Sequence, residues 1–255
     1  MNRLTLVTIP LSHFCEKARW ALDLAGLRYE EEGHAPLMHL VGTRRRGGRS
    51  TPLLVTPDGV LRDSTDILAW VDRRHPLYPQ WPDGRADALA LEEELDTQLG
   101  PHVRRLGYYH VFQVPAVARR LVTHNAPRWE AGLVRAGFPL LRGLMRKSMR
   151  IDAEGARRSH DKVVASFDAV SKRLADGRRN LVGEAFGAAD LTFAALAGPI
   201  LFPPEHPMPW PPAHERPAAL REISEALAAT PAGQHALRMY RAHRPLRGLR
   251  PVGST

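Results

Sequence analysis

Residues 9–22, IPLSHFCEKARWAL, constrain the fold more than any other stretch of this chain. An apolar, β-branched run from Leu4 to Ile9 stops at Pro10. Ser12 follows, one step before a helical pattern. Phe14, Ala18, Ala21, Leu22 and Ala25 recur at helical spacing, and Gly26 closes the run. The pattern predicts a strand, a tight loop and a helix, with the Ser12 hydroxyl at the helix N-cap and the Cys15 thiol one turn in. A helix N-terminus gathers unpaired N–H groups and the positive end of the helix dipole. An anion such as a thiolate placed against it is stabilised.

The rest of residues 1–75 continues the alternation. Leu27 to Glu31 reads as a short second strand, and a weak helix covers about 36–46. Pro52-Leu53-Leu54-Val55, the turn Pro57-Asp58-Gly59 and Val60-Leu61-Arg62 form a hairpin, since Asp-Gly between apolar runs is a strong turn signal. Asp63 and Ser64 then cap a helix running through Ile67, Leu68 and Val71. The order is β-α-β-α-β-β-α. Residues 76–84, PLYPQWPDG, read as a linker, and residues 85–243 as all-helical. Helical segments are expected at 85–113, 115–124, 127–149, 154–176, 189–198 and 216–243, with 244–255 a loose or surface-bound tail.

Composition narrows the partners. The formal net charge is +9 over 255 residues, which raises nucleic-acid binding. Of the 36 basic residues, only Lys17, Lys147, Lys162 and Lys172 are lysines, which points to a compositional habit. The densest cluster, Arg44-Arg45-Arg46 with Arg49, is short, flanked by glycines and free of interleaved aromatics, so no nucleic-acid partner is expected. A basic surface still steers an anionic ligand inward. No apolar run approaches the roughly 20 residues needed to span a bilayer, and neither a signal peptide nor a membrane partner is expected. The single cysteine excludes an internal disulfide, and the twelve histidines show no ligand spacing. No metal is expected, and a reducing cytoplasm fits best.

With these motifs in place, the chain resembles the glutathione S-transferase superfamily over about residues 10–243. Ser12-His13-Phe14-Cys15 is similar to the active-site turn of the zeta and omega classes. It also resembles a glutaredoxin C-P-F-C motif whose first Cys has become Ser. The resemblance implies a thioredoxin-like α/β N-terminal domain, an all-α C-terminal domain, glutathione as co-substrate, a small hydrophobic electrophile, a homodimer and a role in cytoplasmic detoxification.

Residue roles follow as implications of that resemblance. Ser12 would donate a hydrogen bond to the glutathione sulfur, and Phe14 would lie along the tripeptide. Pro52 would be cis, so that Thr51 and Pro52 hold the cysteinyl backbone. Asp63 and Ser64 would anchor the γ-glutamyl end, although most relatives carry Glu at the first position. His39 and Arg49 are the two candidates for the glycyl carboxylate. Tyr108 and Phe112, ahead of His110, would line the electrophile pocket. Phe186-Gly187-Ala188-Ala189-Asp190 resembles the helix-capping motif of the second domain, with Gly187 in place of the usual hydroxyl. Two alternatives stand beside conjugation. One is a glutathione-dependent thiol–disulfide reductase using Cys15, with a thiol pKa depressed by the helix end. The other is a non-catalytic ligand-binding or scaffold protein of the same fold.

Overall fold

The structure, a computed structural model, describes residues 4–245. Strand β1 (Leu4–Thr8) leads into α1 (His13–Leu24), β2 (Tyr29–Gly33), α2 (His39–Arg44), β3 (Leu53–Thr56), β4 (Gly59–Leu61) and α3 (Ser64–Asp72). The sheet order is β2-β1-β3-β4. β1 pairs parallel with β2 and antiparallel with β3, placing Leu6 opposite Glu31 on one side and Leu54 on the other. β1 is an inner strand and almost wholly buried, which fits its apolar and β-branched residues.

β2 begins two residues later than the apolar pattern suggests. Gly26, at φ 64, ends α1 in a left-handed cap. The Leu27 N–H bonds back to the Leu22 carbonyl and the Gly26 N–H to that of Asp23. Leu27 is therefore committed to closing the helix and cannot start a strand.

The remainder is helical: α4 (Pro82–Gln98), α5 (Gly100–Val111), α6 (Pro115–Val122), α7 (Arg128–Ala136), α8 (Phe138–Met149), α9 (Ala153–Arg173), α10 (Ala188–Leu201), α11 (Ala218–Ala228) and α12 (Pro231–His243). Three expected long helices are each two. The breaks fall just before Pro101, at Gly137 before Pro139, and at Thr230 before Pro231. Proline lacks the N–H that would continue the ladder and clashes with the preceding turn, so each opens a new helix. α10 is buried on nearly every face and packs on α1, α4, α5 and α12.

Asp190 in the first turn of α10 accepts from the Gly187 N–H (3.1 Å), the Leu181 N–H (2.8 Å) and His235 Nε2 (2.8 Å). A Cβ at Gly187 would stand 2.7 Å from the Leu77 carbonyl oxygen. The close passage of the connecting segment is why no hydroxyl residue fits that cap.

The expected tail does not begin at 244. Arg244 is buried and clamped against α1, with Nε 2.6 Å from Glu16 Oε1 and Nη1 2.8 Å from Asp23 Oδ2. The Trp20 indole donates to the His243 carbonyl at 3.0 Å. The rest of the expected tail, 246–255, lies outside the described residues. Among the described residues no helix is long and apolar enough to cross a membrane.

Candidate active site

The turn after β1 is tight because the Ser12 N–H bonds the Ile9 carbonyl at 2.8 Å. Ser12 then caps α1: its backbone is extended, and its Oγ accepts the Cys15 N–H at a long 3.4 Å. Its hydroxyl thus sits at the positive end of the helix. The Thr51–Pro52 bond is cis, and Pro52 is buried where β3 begins.

Ser12 and Thr51 share the wall of one cavity of about 280 Å³. Its polar side comes from Ser12, His13, His39, Arg49, Ser50 and Thr51. Its apolar side comes from the C-terminal helices, through Val103, Tyr108 and Val111 on α5, Leu121 on α6 and Met145 on α8. Phe202 and Trp210, which meet edge to face at 5.5 Å, complete it. Phe14 joins the two sides, for a Cβ at Gly100 would lie 2.5 Å from its Cζ. The glycine that opens α5 therefore makes room for the ring beside Ser12.

Burial sets the protonation of this cavity. His13, 3% exposed, is pulled from 6.5 to about 3, mainly by burial and then by the charge of Arg104; its Nε2 has no partner among the described residues. It is a neutral imidazole across the working range. His39 is also held below its ordinary value, by burial and then by His34, and its Nδ1 has no partner among the described residues. The Tyr108 phenol is pushed up to about 12 by burial, against the pull of Arg104, and keeps its proton. Among the described residues no group of three or more His, Cys, Asp or Glu could hold a metal ion.

Residues 6–81 match the family model for the glutathione S-transferase N-terminal domain. No curated protein matches the sequence. Among solved structures, the chain is similar to a glutathione S-transferase from Xanthobacter autotrophicus Py2, with 19% identity over 98% of each chain and a TM-score of 0.60. A glutathione S-transferase from Methylobacterium radiotolerans JCM 2831, solved in complex with glutathione sulfonate, is 21% identical over 92% of this chain and 95% of that one, with a TM-score of 0.54. A β-etherase from Sphingobium sp. strain SYK-6 is 19% identical over 93% and 99%, at 0.58. Residues 6–81 are thus similar to the glutathione S-transferase N-terminal domain, and the whole chain shares the fold of these solved structures. Its thioredoxin-like sheet and helical second half are the two parts of the glutathione S-transferase architecture.

In this glutathione S-transferase fold the expected residues divide. Ser12, Phe14, His39, Arg49, Thr51 and Tyr108 come together around the cavity. Asp63 and Ser64 do not line it. They stand at the N-terminus of α3, where Asp63 is exposed and its Oδ1 accepts the Thr65 N–H at 2.8 Å, while Ser64 is buried. Phe112 is a correction: it is 6% exposed, stacked on Tyr108 at 5.2 Å and edge-on to Phe138, and so belongs to the core behind the wall. Cys15 is a second correction. It has no exposed surface, and burial pushes its thiol up rather than down, against weaker pulls from Arg19 and the hydroxyls of Ser12 and Thr51. The Cys15 side chain is buried and does not line the cavity.

Sequence reasoning missed His13 and Arg104. A histidine directly after the N-cap is a readable signal, since its side chain starts from the same helix end. Arg104 offered no signal in a chain so rich in arginine.

Proposed function

We propose that this protein binds glutathione in the Ser12–Thr51 cavity and transfers its thiolate to an apolar electrophile. One observation carries the reading: the polar wall at the α1 N-terminus and the apolar wall of α5, α6 and α8 enclose a single space. A sulfur held at Ser12 then faces whatever the apolar wall binds. The Methylobacterium relative's complex with glutathione sulfonate supports glutathione as the ligand.

The roles follow from position. The Ser12 hydroxyl and the helix end favour thiolate over thiol. Lowering a bound thiol's pKa by about two units takes about 2.7 kcal/mol, within reach of one hydrogen bond and a helix terminus. Thr51 and Pro52 hold the cysteinyl backbone. The Asp63 carboxylate and the Ser64 end of α3 take the γ-glutamyl group. Arg49 takes the glycyl carboxylate in preference to His39. It is exposed on the cavity wall with no ion-pair partner among the described residues, whereas burial keeps His39 neutral. Neighbouring Arg46 is already paired to Glu32 at 2.7 Å. Trp81 and Leu89, exposed at the start of α4 and along it, fit a two-fold dimer through α3 and α4. The burial of Cys15 weighs against the reductase reading.

Isothermal titration with glutathione tests the proposal. The wild type binds with measurable heat, and Asp63→Ala loses most of the affinity. No heat with the wild type contradicts conjugation and favours a non-catalytic carrier of the same fold.

A further inference from the structure

A second hollow of about 260 Å³ lies beside the cavity. Pro101, Arg104, Arg105, Ser148, Met149 and Arg150 line it. Arg104, Ser148 and Met149 also line the first cavity, so the two spaces adjoin along that seam. Neither wall contains an aspartate or a glutamate among the described residues. Among the described residues neither Arg104 nor Arg150 has an ion-pair partner, although both are exposed. Arg105 is held in place, its Nε donating to the Met149 carbonyl at 2.8 Å and its Nη1 to Ser159 Oγ at 2.9 Å. It stands among like charges. Burial, then Arg158, Arg104 and Arg150, pull its guanidinium below the ordinary value. The nearby Asp152 opposes them, but its carboxylate is occupied capping α9 through the Gly155 N–H at 2.6 Å.

The two buried arginines among the described residues are matched to carboxylates, Arg19 to Glu31 and Arg244 to Glu16, whereas the exposed Arg104 and Arg150 keep free guanidinium groups at the hollow. Unmatched guanidinium groups around a hollow attract an anion, because they offer several donors in a fixed fork and their mutual repulsion falls when a negative group enters. The adjoining wall of Val103, Val111, Leu121, Met145 and Phe202 calls for an apolar body.

We infer that the second ligand of this protein is an amphipathic anion, its apolar body against α5, α6 and α8 and its carboxylate or similar acid group between Arg104 and Arg150. As a statement about the electrophile this rests on the conjugation reading. As a statement about what the cavity binds it stands on the two hollows alone.

Calorimetric titration of the full chain, free and glutathione-saturated, with 4-phenylbutyrate and with its neutral amide tests it. The acid binds about tenfold more tightly than the amide at low ionic strength, as expected for charge-assisted contacts, and salt erodes the difference. Arg104→Gln and Arg150→Asn each shrink the ratio, and the double variant removes it while amide binding persists. Asparagine suits the left-handed φ of 51 at residue 150, so that variant keeps its backbone. Equal affinities in the wild type, or an intact ratio in the double variant, overturn the inference. Acid preference without any glutathione binding leaves it standing and removes the conjugation reading instead.

Discussion

Ser12 and Cys15 sit three residues apart on the first turn of one helix, yet they carry opposite chemistry. Ser12 reaches the cavity wall, and Cys15 turns into the core. The spacing of apolar residues placed both on the helix start. It carried no information about which of them the β1–β3 core would cover, because that depends on partners far along the chain. Arg49 shows the same limit: its position near the cavity depends on the loop before the cis bond. On the proposed roles, Ser12→Ala lowers kcat for conjugation of an activated aryl chloride by about 10²–10³, the loss typical of one donor to a developing or stabilised anion. Cys15→Ala leaves kcat within a small factor. A reversed pattern, with Cys15 essential and Ser12 dispensable, contradicts the assignment of the thiolate to glutathione.

At the level of elements, α8 supplies Met145, Ser148 and Met149 to the cavities, and α7, just before it, is fastened to the sheet by charge. Glu130 on α7 receives His34 Nδ1 at 2.7 Å and the Ala35 N–H at 2.9 Å, while Glu32 at the end of β2 takes His34 Nε2 at 3.0 Å. Hydrogen bonds to Glu130 and Glu32 raise His34 from 6.5 to about 9. The folded state therefore holds this proton more tightly than the unfolded chain. That stabilisation is whole below 6.5 and is lost as pH rises through about 9. Glu32, drawn down to about 2 chiefly by the bond to His34, contributes above its ordinary 4.5 and loses the contribution as pH falls toward 2. Thermal melting across the alkaline window should fall for the wild type and fall less for His34→Gln; identical slopes contradict the account. The β-α-β-α-β-β-α order was readable because turn residues and capping residues mark each boundary. The helix breaks at Pro101, Pro139 and Pro231 were equally visible as residues. The helix-forming residues on both sides of each proline hid them.

Across the whole molecule, the chain's end returns to its beginning. Arg244 bridges Glu16 and Asp23 on α1, in a cluster that also holds Arg19 and Glu31. Nothing near residue 244 in the sequence announces this, because the partners lie more than two hundred positions away. Removing the arginine takes one buried cation from both Glu16 and Asp23 and leaves Glu16 with Arg19 alone. Arg244→Ala should cost about 3–5 kcal/mol in denaturant unfolding; a change near zero would mean that the clamp does not hold the two halves together. The same two halves meet around the cavity, so the architecture that stabilises the fold also encloses the proposed site. The central claim is that this enclosure binds glutathione as a thiolate. The most direct measurement is glutathione calorimetry in two buffers of different ionisation enthalpy at pH 7, which counts protons released on binding. A two-unit drop from a thiol pKa near 8.5 predicts release of about 0.7 proton by the wild type, and clearly less by Ser12→Ala. Binding without proton release, or no binding at all, would contradict it.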